Sequence, residues 1–315
     1  MSTAVEPDGH VAGAEEPTVR RASRARRDAV AGCVVGRERE LDLVLAAVSA
    51  GRDILLEGPP GTSKSTMLRA ISQNWGVPFF LVEGNGELTP ARLVGHHNPA
   101  RVLREDYSDD NFVPGPLVQA MQAGGFLYIE ELNRAPEDTL NVLLAAMAER
   151  EVVVPRAGTV RALPSFRLLA SMNPFDNIGT ARISDSVYDR WCRLVVDYQD
   201  DTEERAIVST RTGCSDDMLV ADAVAITRAT RAHPELRRGS SVRGAIDLVA
   251  IAVELETLET PADRNRIVLD AALLALSARI AVDETSEATP ERVITEIWEN
   301  HFFSHPGVRR RDRTA

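Results

Sequence analysis

Short apolar runs alternate with helical patterns from residue 34 to about residue 200 of this 315-residue chain. Apolar residues recur at helical spacing between the runs, first at Leu41, Val44, Leu45 and Val48. The runs themselves predict strands at 54–57, 79–83, 126–131, 166–172 and 194–196. Because strands that alternate with helices build sheets covered on both faces, we expect an α/β domain with five parallel strands.

The strand pattern stops after Tyr198, and only helical patterns follow it. They cover residues 203–211, 216–232, 241–258, 262–281 and 290–303. A change from a mixed pattern to a purely helical one is typical of a chain with two domains. We therefore expect an α/β domain at residues 31–200 and an all-helical domain at residues 201–305.

Both ends of the chain lack periodic apolar residues. Residues 1–30 mix Ala, Gly, Pro and Glu with an arginine cluster, which predicts a disordered tail. The cluster has the chemistry to bind an anion, but a solvated arm is the simpler interpretation. Residues 306–315 are expected to form a basic C-terminal tail.

Two short segments interrupt the alternating pattern. Residues 95–115 are irregular and lie between two helical patterns, which predicts a helix interrupted by a hairpin-sized insert. Residues 152–163 contain two strand-like runs joined by a Gly-containing turn, which predicts a small β-hairpin. His96 and His97 are adjacent, so on a strand they point to opposite faces and are poorly placed to bind one metal ion.

Composition narrows the possible functions. The formal net charge of −11 opposes a broad phosphate-neutralising surface, so nucleic acid is a poor default partner. No apolar run is long enough to cross a membrane and the polar N-terminus has no signal-peptide core, so we expect a cytoplasmic protein without a membrane partner. Cys33, Cys192 and Cys214 are far apart and odd in number, which is typical of reduced thiols.

A Gly/Pro-rich turn between the first strand and the next helix carries the clearest chemistry. This segment, called the phosphate loop below, consists of Gly58, Pro59, Pro60, Gly61, Thr62, Ser63, Lys64, Ser65 and Thr66. Backbone N–H groups of such a loop surround a β-phosphate, and the following helix points its positive N-terminus at the same anion. Lys64 is expected to reach the β- and γ-phosphates of ATP, and Ser65 to bind Mg²⁺. Ser63 stands where the usual pattern has its last glycine, but it is small enough to keep the backbone close to phosphate.

Two adjacent carboxylates, Glu130 and Glu131, close the third predicted strand. They follow Lys64 by about 65 residues, which is the scale expected for the acidic motif of a P-loop ATPase. Glu130 is expected to hold Mg²⁺ and its waters, and Glu131 to polarise the attacking water as general base. Asp is the usual residue at the first position, so the longer side chain of Glu130 puts the rate of hydrolysis in question.

Two further polar residues suit roles around a bound nucleotide. Asn173 ends the fourth predicted strand, where a buried amide can orient the attacking water. Arg243 lies in the first turn of a long helix, where a positive charge does not help the helix itself. That position lets Arg243 lean over the nucleotide.

An arginine before the fifth strand is a candidate for a contact between subunits. Arg190 is placed to reach the γ-phosphate of a neighbouring subunit and to supply charge to the transition state. A surface salt bridge with Asp189 is an equally good interpretation of the same residue. Arg182 and Arg193 are rival candidates for the subunit contact.

These motifs together resemble the AAA+ superfamily and, within it, the MoxR group of the helix-2-insert clade. The resemblance covers residues 34–303 and is most specific at 58–65, 112–117 and 128–136. It implies a P-loop core whose five strands lie in the order 5-1-4-3-2, followed by a helical lid. It also identifies residues 95–115 as the helix-2 insert and residues 152–163 as the hairpin that precedes sensor 1.

The resemblance implies roles for single residues. Walker A corresponds to Lys64 and Ser65, and Walker B to Glu130 and Glu131. Sensor 1 corresponds to Asn173, the arginine finger to Arg190, and sensor 2 to Arg243. The positions that touch adenine correspond to Val35 and Gly36.

Residues 82–99 are similar to CoxD-type members, which are linked to maturing molybdenum hydroxylases such as carbon monoxide dehydrogenase. The resemblance implies a homo-oligomeric ring, a hexamer, that binds ATP between subunits and remodels a metalloenzyme client with a von Willebrand A-domain partner. A gas-vesicle or carboxylase-activating ATPase has the same fold and a different client. Two other functions stay open: a nucleic-acid motor, which the net charge opposes, and a nucleotide-gated scaffold that barely hydrolyses ATP.

Overall fold

The computed structural model describes residues 27–30, 32, 34–100, 111–156, 158–174, 185–258 and 263–303. Most of the predicted N-terminal tail, the whole predicted C-terminal tail, part of the first insert, Cys33 and Arg182 lie outside these residues. None of the described helices is both long enough and apolar enough to span a bilayer. The cytoplasmic location stays a prediction.

The α/β part contains a central sheet, the helices that cover it and two small hairpins. Its first elements are α1 (Glu38–Ser49), β1 (Ile54–Glu57), α2 (Lys64–Trp75), β2 (Phe79–Glu83), α3 (Pro90–Val94), β3 (Gly95–His97), β4 (Phe112–Pro114) and α4 (Pro116–Ala123). The others are β5 (Phe126–Glu130), a 3-10 helix (Leu132–Arg134), α5 (Glu137–Glu149), β6 (Glu151–Val154), β7 (Gly158–Arg161), β8 (Arg167–Met172), α6 (Asp185–Tyr188) and β9 (Cys192–Val195).

The central sheet has five strands in the order β2-β5-β8-β1-β9, and each neighbouring pair is parallel. When only these five strands are numbered, this is the predicted order 5-1-4-3-2 from the other edge, so the α/β fold class is confirmed. Because the strands run the same way, the residues that follow β1, β5 and β8 meet at one edge of the sheet. That edge carries Gly58, Glu131 and Asn173.

Two hydrophobic clusters cover the two faces of the sheet. Side chains alternate between the faces along a strand, so Leu55 packs with α4 and α5 while Leu56 packs with α1 and α2. All four residues of β1 are therefore buried. The strand that leads into the phosphate loop is held firmly between two layers of helices.

The expectation that residues 1–30 are disordered is wrong for residues 27–30. Residues 27–30 are helical, and Val30 is fully buried against the cluster of α1 and α2. Arg27 also donates a 2.5 Å hydrogen bond to Asp42. Four residues are too few to show a helical period, so the sequence pattern could not reveal this turn.

The two inserts form antiparallel hairpins. In the first, β3 pairs with β4 and His97 lies opposite Phe112. In the second, β6 pairs with β7. The hairpins contact each other, since His97 Nε2 donates to the carbonyl oxygen of Pro155 at 3.0 Å.

The C-terminal part is mainly helical and has its own hydrophobic core. It contains α7 (Asp201–Thr212), α8 (Asp217–Ala232), α9 (Val242–Leu258), α10 (Arg264–Leu276) and α11 (Pro290–Phe303). It is not all-helical, because β10 (Leu236–Arg238) pairs with β11 (Ala281–Val282) in an antiparallel ladder. Strands this short carry no detectable alternation, which is why the sequence pattern missed them.

Candidate nucleotide-binding site

The phosphate loop lies tightly against two other parts of the chain. The N–H of Gly58 donates to the carbonyl oxygen of Met172 at 3.1 Å, and a Cβ on Gly58 would overlap the carbonyl oxygen of Val196. Gly61 has a φ of +79°, and a Cβ there would lie only 2.6 Å from Ser241 Oγ. Glycine at these two positions therefore lets the loop contact both the ends of the neighbouring strands and the helical part.

Ser63 adopts the backbone conformation that the missing glycine would take. Its φ of +64° and ψ of +16° are left-handed, and it directly precedes α2. This conformation costs an L-residue about 1–2 kcal/mol, and glycine adopts it freely. The loop geometry is thus retained with Ser63, at some cost in stability.

Lys64 begins α2 and its ammonium group contacts the phosphate loop. Lys64 Nζ donates to the carbonyl oxygens of Gly58 at 2.9 Å and Pro59 at 2.8 Å. It lies 3.2 Å from Thr62 Oγ1, and the Thr62 hydroxyl itself donates to the carbonyl oxygen of Pro59. The loop is therefore closed around the lysine that the motif assigns to phosphate binding.

Positive charge is concentrated at this lysine. Burial lowers the pKa of Lys64 to about 8, Glu130 counteracts the shift, and the charges of Arg37 and Arg243 add to it. Two further arginines are thus close enough to affect the same ammonium group. Such a set of cations at a helix N-terminus suits a polyphosphate.

Ser65 and Glu130 form the contact expected of a magnesium site. Ser65 Oγ donates to Glu130 Oε1 at 2.7 Å and lies 3.1 Å from the Tyr128 hydroxyl, which is 2.7 Å from Ser171 Oγ. Burial raises the pKa of Tyr128 to about 12, so its hydroxyl keeps its proton. Hydroxyl and carboxylate oxygens are ligands that Mg²⁺ prefers, so this pair fits the ion that the fold implies.

Glu131 lies next to this pair but has a different partner. Its backbone is left-handed, with a φ of +55°, and its Oε2 is 3.1 Å from Arg134 Nε. Gly84 packs against this turn. Its N–H donates to the carbonyl oxygen of Glu130 at 2.7 Å, and a Cβ on Gly84 would overlap the carbonyl oxygen of Glu131. Glu131 is partly exposed, so water can reach its carboxylate.

Asn173 directly follows β8 and is half-buried. Its carbonyl oxygen accepts a 3.2 Å hydrogen bond from Asn133 Nδ2, and Asn133 belongs to the 3-10 helix after β5. This bond ties the ends of β5 and β8 together. Asn173 is therefore held at the same edge of the sheet as Glu131, and its water-orienting role stays a prediction.

The two described candidates for the subunit contact have different surroundings. Arg193 Nε donates to Glu57 Oε2 at 2.6 Å, and Glu57 is buried at the end of β1. Arg190 is exposed, and among the described residues its Nη1 donates to the carbonyl oxygen of Ser186 at 2.8 Å. Arg193 is thus committed to its own chain, which favours Arg190 between the two.

The segment with the predicted adenine contacts lies against the connection between the two parts. A Cβ on Gly36, whose φ is +65°, would overlap the carboxylate of Glu203, and Gln199 Nε2 is 3.4 Å from the carbonyl oxygen of Val35. Arg37 is buried, donates to Glu40 at 2.8 Å and also contacts the carbonyl oxygen of Asp197. Val35 and Gly36 are therefore fixed beside the start of α7.

Sequence reasoning missed three residues of this site, namely Arg37, Glu57 and Tyr128. Tyr128 lies two residues before Glu130 on the same strand, so the two share a face, and this spacing was a usable signal. Glu57 is a charged residue at the end of an apolar strand, which is a weaker signal. Arg37 contacts the carbonyl oxygen of Asp197, which is 160 positions away in the sequence, so no local pattern predicted this contact.

The one group of possible metal ligands among the described residues is a poor metal site. His233, Glu235 and Glu296 lie close together, but His233 Nδ1 accepts a hydrogen bond from the N–H of Glu235, so in the neutral ring Nε2 carries the proton. Metal-binding histidines instead donate from the nitrogen that does not bind the metal. His96 and His97 are adjacent residues of β3, as the sequence interpretation assumed.

The family comparison matches the part of the chain that holds this site. Residues 53–191 match the family model described as AAA domain (dynein-related subfamily). The match runs from the residue before β1 to the residue before β9. It includes the phosphate loop, Glu130, Glu131, Asn173 and Arg190.

Several curated proteins are similar to the chain over most of its length. It is 28% identical over 262 residues to the gas vesicle ATPase GvpN of Ancylobacter aquaticus, which covers 78% of this chain and 72% of that protein. It is 26% identical over 213 residues to an uncharacterized protein of Staphylococcus epidermidis, which covers 66% of this chain and 80% of that protein.

Solved structures share the fold. A candidate ATPase from Cytophaga hutchinsonii matches with a TM-score of 0.50 and 21% identity, over 90% of this chain and 98% of that one. The RuvB Holliday junction branch migration motor of Thermotoga maritima matches with a TM-score of 0.50 and 18% identity. The match covers 76% of this chain and 70% of that one. The AAA domain match, the five-stranded parallel sheet and the helical C-terminal part together show that this chain has the α/β P-loop fold of AAA+ ATPases.

Proposed function

We propose that this chain binds ATP with Mg²⁺ and hydrolyses it to ADP and phosphate. The observation that carries the proposal is the 2.7 Å contact between Ser65 and Glu130, directly beside Lys64 at the N-terminus of α2. A phosphate-binding cation and a pair of oxygen ligands thus converge at one edge of the sheet. That combination suits a nucleoside triphosphate better than a neutral ligand.

The residues around the phosphates divide the chemical work. Lys64 exchanges the loop carbonyl oxygens for the β- and γ-phosphates, whose negative charge its ammonium group complements. Ser65 and Glu130 hold Mg²⁺, which neutralises charge on the same phosphates. Glu131 accepts the proton of the attacking water, and Asn173 orients that water.

Arg190 supplies positive charge to the site of a neighbouring subunit. Its exposure supports this role, whereas the bond of Arg193 to Glu57 of its own chain does not suit such a role. An arginine in trans stabilises the charge that develops on the transferred phosphoryl group. The role requires a closed homo-oligomer, which we propose to be a hexameric ring with Val35, Gly36 and Arg243 of each subunit around its nucleotide.

As its cellular role we propose the remodelling of a metalloenzyme, with a von Willebrand A-domain protein as partner. The support is the resemblance of residues 82–99 and 128–136 to CoxD-type and MoxR members. A second candidate is the role of a gas vesicle ATPase. It is favoured by the 28% identity to GvpN of Ancylobacter aquaticus over 262 residues.

Phosphate release tests the proposed chemistry. Purified protein with ATP and Mg²⁺ is expected to release phosphate continuously, and chelation of Mg²⁺ is expected to stop it. The Lys64→Ala variant is the control, because it lacks the cation while the fold stays intact. Release that survives this substitution, or no release by the original protein, would contradict the proposal.

Co-purification separates the two cellular roles. The Glu131→Gln variant is expected to stay bound to ATP and to retain its client in native extract, with Lys64→Ala as the control that binds no nucleotide. Enrichment of a metalloenzyme and a von Willebrand A-domain protein supports the first role. Enrichment of gas-vesicle proteins instead would replace the first role with the second.

A further inference from the structure

A buried carboxylate at the start of the helical part binds two arginines. Glu204, in the first turn of α7, is 1% exposed. Its oxygens lie 2.8 Å from Arg231 Nη1 and 3.2 Å from Arg228 Nη1, and both arginines belong to α8. A carboxylate buried this deeply is strongly destabilising unless it is paired, so the group fixes α7 against α8.

Arg231 has further contacts that Arg228 does not share. Its guanidinium carbon lies 3.9 Å from the centre of the Tyr198 ring, and its Nε donates to the carbonyl oxygen of Ser240 at 2.7 Å. Tyr198 belongs to the connection between β9 and α7, and Ser240 to the turn before α9. One side chain therefore links the connection, α7 and the turn before α9.

The turn that Arg231 holds is the part that touches the phosphate loop. Ser240 is buried, and its N–H donates a 2.9 Å hydrogen bond to Thr230 Oγ1. The next residue, Ser241, packs directly against Gly61 of the loop. Arg243 follows two residues later, and its side chain also lies against Gly61.

Tyr198, the aromatic partner of Arg231, is also connected to the phosphate loop. The carbonyl oxygen of Val196 lies directly against Gly58, and Tyr198 follows two residues later. The chain of contacts thus leaves the loop at Gly58, passes through Tyr198 and Arg231, and returns to the loop at Gly61. A shift of the loop can reach the helical part from both sides of Arg231.

We propose that Arg231 is a positioning residue that, held by Glu204 and Tyr198, keeps the turn of residues 240–243 over the phosphate loop and couples the nucleotide to the helical part. This role rests on the proposed ATPase function for its effect on turnover. Its effect on the turn itself does not depend on hydrolysis.

Arg228 offers a matched control within the same cluster. It binds the same carboxylate, and its Nη1 also donates to the carbonyl oxygen of Gln199 at 2.9 Å. Arg228→Gln and Arg231→Gln therefore each remove one arginine from Glu204, but only the second releases Ser240. A loss of stability or activity that results only from weaker pairing of the buried Glu204 should therefore appear in both variants.

Hydrogen exchange and turnover together test the proposal. Arg231→Gln is expected to speed amide exchange at residues 240–243 and at the phosphate loop, and to lower kcat for ATP by about tenfold with a smaller change in KM. Arg228→Gln is expected to lose similar thermal stability while exchange at the turn and kcat stay within about threefold of the original protein. Equal effects of the two variants on exchange or on kcat would overturn the proposal.

A conservative variant separates positioning from charge. Arg231→Lys keeps a cation for Glu204, but an ammonium group cannot pair with Glu204, stack on Tyr198 and bind Ser240 at once. We expect thermal stability to recover in this variant while exchange at the turn stays fast and kcat stays low. Full recovery of both would show that only charge matters and would overturn the proposal.

The two readouts also distinguish the failure of this role from the failure of the proposed function. If the original protein releases no phosphate, the ATPase proposal fails, and the exchange comparison alone then decides the positioning role. If the original protein releases phosphate and exchange at the turn is unchanged in Arg231→Gln, the positioning role fails and the ATPase proposal stands.

Discussion

Ser63 shows how one backbone angle limits which residues the phosphate loop accepts. Its left-handed conformation is unfavourable for an L-residue, and glycine removes that cost at the expense of a more flexible unfolded chain. We therefore expect Ser63→Gly to raise the free energy of unfolding by about 0.5–1 kcal/mol. Denaturant unfolding measures this change.

Ser63→Val is the matched control for that substitution. A β-branched residue is strongly disfavoured at positive φ, so the loop must shift to accommodate it. We expect this variant to lose stability and nucleotide affinity together, while Ser63→Gly retains affinity. If valine were tolerated as well as glycine, the left-handed conformation would not be a constraint on the loop.

Because the pKa of Lys64 is lowered, we expect ATP binding to be coupled to proton uptake at mildly alkaline pH. In the free site its pKa is lowered to about 8, chiefly by burial, so near pH 8 only part of the protein carries the proton. A bound triphosphate favours the charged form and raises the pKa, so the complex holds more protons than the free protein. Affinity for ATP is thus expected to fall as the pH rises above about 8.

Calorimetry in buffers of different ionisation enthalpy measures the proton uptake directly. Lys64→Arg is the control, because arginine stays charged throughout this range and should show no uptake. Equal uptake by the two proteins, or release of protons on binding, would contradict this account of the lysine.

Local signals in the sequence predicted the loop and its chemistry, but not the contacts made across the fold. The order of Gly58, Gly61, Lys64 and Ser65 is local, so the motif alone located the phosphate site. The hydrogen bond of Arg193 to Glu57 spans 136 positions, and no pattern within a segment encodes such a pair. For the same reason Arg37 and Arg231 stayed unrecognised until the fold was known.

Arg193 in β9 and Arg190 in the turn before it are expected to have different roles, the first in stability and the second in turnover. Removal of the Arg193 side chain leaves the buried carboxylate of Glu57 without its cationic partner, so Arg193→Ala is expected to cost about 2–3 kcal/mol of unfolding free energy. Arg190 is exposed, so Arg190→Ala is expected to leave stability within about 0.5 kcal/mol. Its turnover should instead fall by about 10³–10⁵.

Thermal unfolding and phosphate release on both variants check this division. The Glu57→Gln and Arg193→Ala double variant is the control, since a neutral amide at residue 57 should recover part of the lost stability. Normal turnover in Arg190→Ala would show that Arg190 does not act at the site of a neighbouring subunit. A stability loss confined to Arg190→Ala would reverse the assignment of the two residues.

Elements with several periods were predictable, and those shorter than one period were not. The five central strands and the long helices each show repeated apolar positions, and both the sheet order and the parallel pairing agree with expectation. The turn at residues 27–30 and the ladder of β10 and β11 are too short to show a period. They form because tertiary contacts, such as the burial of Val30, stabilise them.

At the scale of the whole molecule, a site shared between subunits predicts that two inactive variants complement each other. Lys64→Ala lacks its own nucleotide site but still presents Arg190, and Arg190→Ala keeps its nucleotide site. In mixed rings an Arg190→Ala site can therefore meet an intact arginine from its neighbour. Random mixing in equal amounts should restore up to about a quarter of the original turnover, since one interface in four has the required pair.

The control mixes Arg190→Ala with a variant that carries both substitutions, which offers no intact arginine to any site. This mixture is expected to stay inactive. If the Lys64→Ala and Arg190→Ala mixture also shows no more turnover than the separate variants, the site is not shared between subunits in the proposed way.

The most direct test of the central claim compares Glu131→Gln with the original protein for ATP binding and for hydrolysis of bound ATP. Glutamine keeps the shape of the side chain but accepts a proton far less readily than a carboxylate. The account predicts similar affinity for ATP and hydrolysis slower by about 10²–10⁴. If the original protein binds ATP without hydrolysing it, or Glu131→Gln hydrolyses ATP as fast as the original, then this site is not the ATPase described here.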